Sequence, residues 1–151
     1  MNKISRIFAA LLALLLLAAS VPVAFAAGAE TYAEAGDTVT LTVPFVGYGA
    51  DGNVVVNDTD GIIENYDFKF ILPNGSASEF VNPTTLAFSD AGATEGTYTL
   101  KVTVNLKSTA EAGKSCNVTF NYSVARADGS NDAMITTEKK VVVKAPETTP
   151  A

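Results

Sequence analysis

Thr97-Tyr98-Thr99-Leu100-Lys101-Val102-Thr103-Val104-Asn105-Leu106 is the stretch whose reading decides the fold. Tyr98, Leu100, Val102, Val104 and Leu106 alternate with Thr97, Thr99, Lys101, Thr103 and Asn105, so one face is apolar and the other polar. That two-residue period belongs to a strand with one buried face; a helical period would scatter both sets. The same pattern recurs outward in both directions. Thr38 to Val46 sets Val39, Leu41, Val43 and Phe45 against Thr38, Thr40 and Thr42. Pro44 removes a backbone donor there, which fits an edge strand or a bulge. Ile62 to Leu72 puts Tyr66, Phe68, Phe70 and Leu72 inward and Asp67 and Lys69 outward, and Pro73-Asn74-Gly75 turns the chain. Ser115 to Ala125 alternates again, with Cys116 in register with Val118, Phe120, Tyr122 and Val124.

Shorter apolar pieces at Asn53 to Val56, Phe80-Val81 and Leu86 to Phe88, and a last run from Met134 to Lys144, complete the series. Clusters of Gly, Asn, Asp and Pro separate them. About seven to nine strands at this spacing predict an all-β fold, an antiparallel β-sandwich of jelly-roll or Ig-like type. Residues 27–36 read as a lead-in without a strand of its own, so the domain spans 27–144. Residues 145–151, with their Pro and Thr, read as an extended linker or tail.

Residues 1–26 have a different character. Lys3 and Arg6 precede an almost wholly apolar run from Ile7 to Ala19, and Ala24-Phe25-Ala26 is a small-x-small site before Ala27. This is the pattern of a cleaved secretory signal, with the cut between Ala26 and Ala27. The apolar run is short for a membrane span. The expected address is therefore secreted or cell-surface, with no membrane segment in the mature form. Every one of the 16 acidic residues lies beyond Ala26, and the eight basic residues left there give the mature part a net charge of −8. Such acidity excludes nucleic acid, whose phosphates need a cationic face.

The absences are equally informative. The chain has no histidine, which removes Ser-His-Asp and Cys-His catalysis and the usual His-ligated zinc sites. It has no tryptophan, the ring most used to stack sugars, and its single cysteine, Cys116, cannot form an intrachain disulfide. Cys116 falls on the apolar face of its strand, so a buried, inert thiol is expected. No pair of carboxylates is set across a cleft by the sequence. The expectation is a protein that is not an enzyme.

One loop is rich in hard oxygen ligands. Asp58, Asp60 and Glu64 could hold Ca2+, the one cofactor the composition suits. The spacing fails the EF-hand pattern, since taking Gly61 as the loop glycine puts Val56 at the first ligand position. A turn built on Asn and Asp explains Asn57 to Gly61 equally well.

Three segments together carry a family resemblance. Ala35-Gly36-Asp37-Thr38-Val39-Thr40-Leu41-Thr42-Val43-Pro44, then Gly61-Ile62-Ile63-Glu64-Asn65-Tyr66-Asp67-Phe68-Lys69-Phe70, then Ser78-Glu79-Phe80-Val81 resemble, in order and spacing, elements of the cohesins. These are the scaffoldin modules that hold dockerin-bearing enzymes in polysaccharide-degrading systems. The likeness spans residues 35–81; beyond it Ile71-Leu72-Pro73-Asn74 stands where the family has Tyr-Asp-Pro. Gly96-Thr97-Tyr98 also resembles the opening of a late strand in bacterial Ig-like and PKD-like surface modules, where the tyrosine forms a corner. The resemblance implies a nine-stranded sandwich that binds a protein partner, dockerin-like, through a sheet face. Asp67, Lys69, Lys101 and Asn105, outward by alternation, are then the candidate partner contacts. Two other readings remain open at this point. One is a carbohydrate-binding module stacking polysaccharide on Tyr32, Tyr48 or Tyr66; the other is a structural spacer of a longer surface protein.

Overall fold

The computed structural model describes residues 30–146, apart from the side chains of residues 91–93. The expected signal, its cleavage point at Ala26 and Ala27, and the end of the tail lie outside the described residues. Six strands are present among them: β1 (Glu30–Ala33), β2 (Thr38–Asn57), β3 (Ile63–Ile71), β4 (Ala87–Leu106), β5 (Ser115–Val124) and β6 (Ile135–Val143). They form one hydrogen-bonded sheet in the order β1-β6-β5-β2-β4-β3. Every pairing is antiparallel except that of β1 with β6.

That single sheet makes two layers because β2 and β4, 20 residues each, belong to both. Residues 38–47 of β2 pair with residues 96–105 of β4, and β3 pairs with that same half of β4, giving a three-stranded layer. Residues 50–57 of β2 pair with β5 and residues 49–53 with the start of β4; with β6 and β1 they give a five-stranded layer. Counting each half of the long strands in its own layer, the sandwich has the seven to nine strands expected. The pieces read as separate strands at Thr38 to Val46 and Asn53 to Val56 are one strand, as are Leu86 to Phe88 and Thr97 to Leu106. A register shift between Gly47 and Gly49 bends β2 without interrupting its pairing.

Glycine is required at this fold line. Gly49 has φ 90°, in the left-handed region. A Cβ on Gly47 would stand 2.3 Å from the Val124 Cγ1, and one on Gly52 would stand 1.9 Å from the Asn121 carbonyl oxygen. Gly47 thus packs under the Val124 side chain and Gly52 against the β5 backbone, where no further side chain fits. Pro44 lies before it, in a part of β2 that pairs only with β4. The Leu106 N–H donates to the Asp37 carbonyl at 2.9 Å, so by alternation the Pro44 nitrogen faces the open edge and costs no ladder bond.

The core fills the space between the layers as the alternation predicts. Val39, Leu41, Val43, Phe68, Phe70, Tyr98, Leu100, Val102 and Val104 come from one layer. Val54, Phe88, Cys116, Val118, Phe120, Tyr122, Val141 and Val143 come from the other. Rings join the two. Phe45 stacks on Tyr122 at 5.3 Å and on Tyr98 at 5.5 Å, and Phe88 meets Phe70 at 4.9 Å and Phe68 at 5.5 Å. Each pair adds about 0.5–1.5 kcal/mol beyond the burial of its area. The Tyr98 hydroxyl donates to the Thr94 carbonyl at 2.5 Å, the tyrosine corner expected from Gly96-Thr97-Tyr98.

Two expectations need correction. Glu30–Ala33 is not a plain lead-in but a strand in parallel register with Lys140–Val143; four residues are too few for alternation to declare themselves. Tyr66 lies opposite Val104 yet is 46% exposed, because β3 is the last strand of its layer and nothing covers its margin. Phe80 and Val81 are not equivalent: Val81 packs on the core while Phe80 is 66% exposed. For the fold line, the expected outcome of Gly52→Ala is failure to fold or a loss above about 3 kcal/mol, the range of severe core substitutions. Thr40→Ala, on the outer face of the same strand, should stay within about 0.5 kcal/mol in the same urea titration.

Candidate functional site

Pairing decides which polar side chains meet, because residues directly opposite in neighbouring strands share a face. On the outer face of the three-stranded layer the register gives successive rows. Thr38, Asn105 and Asn65 form one, Thr40, Thr103 and Asp67 the next, and Thr42, Lys101 and Lys69 a third. The four residues expected as partner contacts, Asp67, Lys69, Lys101 and Asn105, therefore stand together in three adjoining rows.

The rows are tied laterally. The Thr38 hydroxyl donates to the Asn105 Oδ1 at 2.6 Å, and the Asn105 Nδ2 donates to the Asn65 Oδ1 at 2.6 Å. Lys69 pairs with Asp67 at 3.3 Å along β3, so Asp67 is shared with its own strand while Lys101, opposite Lys69, joins no ion pair among the described residues. The two lysines and one carboxylate give this patch a net positive charge on a domain of opposite sign. Alternation alone named the outward residues of β3 and β4. It could not show that Thr38 and Asn65 complete their rows, since that depends on which strands are neighbours.

Two of the three candidate calcium ligands accept backbone N–H groups. Asp58 accepts the Ile62 N–H on Oδ1 at 2.8 Å and the Ile63 N–H on Oδ2 at 3.0 Å, closing the turn into β3. Asp60 accepts the Ser115 N–H at 2.9 Å, and Glu64 is exposed. Among the described residues no three acidic or cysteine side chains converge on a metal position. The turn-building reading of this loop is the one its geometry fits. The tyrosines do not form a stacking row either. Tyr32 is exposed on β1, Tyr48 is half-buried at the bend, and Tyr66 sits at the margin of β3.

Cys116 is 1% exposed on β5. Burial, and secondarily the Asp58 carboxylate, push its thiol up to about 11. A thiol held neutral in this way is a poor nucleophile and a packing group.

No family model matches the sequence, and no curated protein matches it. Solved structures match this chain only at low similarity. A family 123 glycoside hydrolase from Clostridium perfringens is 12% identical with a TM-score of 0.43, over 77% of this chain and 23% of the hydrolase. The chain thus spans under a quarter of that enzyme's length. A type I cohesin–dockerin complex from Clostridium thermocellum contains a chain 11% identical with a TM-score of 0.42, over 76% of this chain and 94% of the other. AvmM, which catalyses macrocyclization in alchivemycin A biosynthesis, is 7% identical with a TM-score of 0.36, over 82% and 88%. At these scores the likenesses carry no argument about family or activity.

Two outcomes follow from Asp58 and Cys116. Asp58→Ala should cost about 1–3 kcal/mol, because two backbone N–H groups lose their acceptor. The loss in thermal melts should be the same in calcium and in chelator. For Cys116, stability is unaffected below pH 9.0, where the thiol is neutral in both states. Between that pH and about 11 the unfolded chain loses the proton while the folded chain keeps it, so stability falls as pH rises. Urea titrations across that window should show a shallower fall for Cys116→Ala.

Proposed function

We propose that this chain is an exported, non-catalytic binding module that docks a dockerin-like protein partner on the outer face of its three-stranded layer. The single observation that carries the reading is the convergence of Asp67, Lys69, Lys101 and Asn105 in three adjoining rows of an uncovered face. The resemblance of residues 35–81 to cohesins supports the class of partner, and the signal-like residues 1–26 support export.

The face suits rigid-body docking. Its residues are borne on paired strands rather than loops, so little order need be gained on binding. Thr38, Asn65 and Asn105 hold one another's side chains in fixed rotamers, which presents the remaining amide and hydroxyl groups in set directions. Lys101 supplies the uncommitted cation on the middle strand of the patch. A partner bearing a carboxylate opposite Lys101 and hydrogen-bonding groups opposite Asn105 would complete the match. The threonines around them offer methyl and hydroxyl contact and exclude water from the rim.

The test is binding to a panel of dockerins measured by surface plasmon resonance. The expected outcome is capture of at least one dockerin by the wild-type domain. Lys101→Ala and Asn105→Ala should each weaken it about tenfold, equivalent to roughly 1.4 kcal/mol. Replacing Asp67, Lys69, Lys101 and Asn105 together by Ala should abolish it while circular dichroism stays unchanged. Binding untouched by the fourfold change removes this face from the reading.

A further inference from the structure

We infer that the opposite face of the sandwich, the outer surface of the five-stranded layer around Phe80, binds a neutral polysaccharide chain. The argument begins with the segment before β4. Val81 bridges to Phe88 and turns into the core, while the Ser89 N–H donates to the Phe80 carbonyl at 3.2 Å. The segment thus extends the layer by one short strand, and alternation turns Phe80 outward opposite Ser89. A large ring that could have been buried is instead 66% exposed, the most open of the large apolar side chains among the described residues.

Its surroundings are those of a sugar site. The ring borders a shallow, open depression whose lining includes Glu79, Asn82, Ala87 and Ser89. Next across the sheet stands Asp51, whose Oδ1 accepts the Ser89 hydroxyl at 2.7 Å, leaving Oδ2 facing solvent. The following row brings Asn53 opposite Asn121, and the Asn121 Oδ1 accepts the Thr136 hydroxyl at 2.9 Å, which leaves its Nδ2 free to donate. A ring, a free carboxylate oxygen and an amide donor lie in sequence across two neighbouring rows.

This chemistry selects among ligands. The C–H face of a pyranose stacks on an aromatic ring, and its hydroxyls accept from amides and donate to carboxylates. A protein partner would bury several apolar side chains at the centre of its footprint, and here there is one ring amid polar groups. Neither lysine nor arginine lines the depression, and Glu79 and Asp51 repel anions, so a charged glycan is disfavoured. The flat run of rows suits an extended chain rather than a single sugar.

The test uses cellohexaose, xylohexaose and mannohexaose, titrated into the domain with amide chemical shifts and calorimetry as readouts. At least one should bind, with shifts clustered at residues 80–82, 87–89 and 51–53. Phe80→Ala, which removes an exposed ring and leaves the fold intact, should weaken binding at least about tenfold. Asp51→Asn should weaken it several-fold, and Lys101→Ala, on the other face, should leave it unchanged. No binding of any of the three, binding that survives Phe80→Ala, or shifts clustered at residues 97–106 would each overturn the inference.

Discussion

The fold depends on two strands that cross from one layer to the other without breaking. β2 and β4 pair with each other on both sides of the bend, so the sheet creases where Gly47 and Gly49 shift register and the hydrogen-bond ladder continues beyond it. A sandwich assembled from separate strands must order a loop at each corner; here the corner is part of the ladder. The cost is a severe demand on sequence, because Gly47 and Gly52 must keep neighbouring chain within a distance that admits no side chain. Phe45 and Phe88 lie on either side of the crease and reach across to the opposite layer, so the rings that hold the layers together come from the strands that link them.

Folding one sheet over in this way leaves two outer faces of unlike chemistry. The three-stranded layer shows threonines, asparagines and a small cationic patch. The five-stranded layer shows serines, asparagines and carboxylates, with Phe80 at one margin and Tyr32 at the other. The buried side is close to uniform in chemistry and the exposed sides are not, which is where recognition would lie. The polar groups of both outer faces are carried on paired strands.

Much of this was legible in the sequence, and the reason is local. In Thr97–Leu106 and Ser115–Val124 every second residue is apolar, and each of those residues is buried. Cys116 was placed correctly because its neighbours at two-residue spacing fixed its face. What escaped depends on separation along the chain. Glu30–Ala33 becomes a strand only because Lys140–Val143 offers it an edge. Tyr66 obeys the alternation and is still half in water, since burial needs a further strand that β3 does not have. Phe80 and Val81 are both apolar, and only the bridge from Val81 to Phe88 decides which one turns inward. Asp67, Lys69, Lys101 and Asn105 could be named as outward from their own strands, whereas their assembly into rows required the register. In the acidic loop Asp58 closes its own turn, a contact that composition alone does not specify.

The parallel pairing of β1 with β6 has a mechanical side. Glu30 lies beside Lys140 and Ala33 beside Val143, so chain entering at Glu30 and chain leaving at Val143 do so from opposite ends of two adjacent strands. Tension drawn along the polypeptide would pull these strands past each other lengthwise. The hydrogen bonds between them, the Lys144 N–H to the Ala33 carbonyl among them, would be loaded together in shear instead of opened one by one like a zipper. A domain pulled from both ends would gain from that geometry a resistance to stretching that its thermodynamic stability alone would not supply.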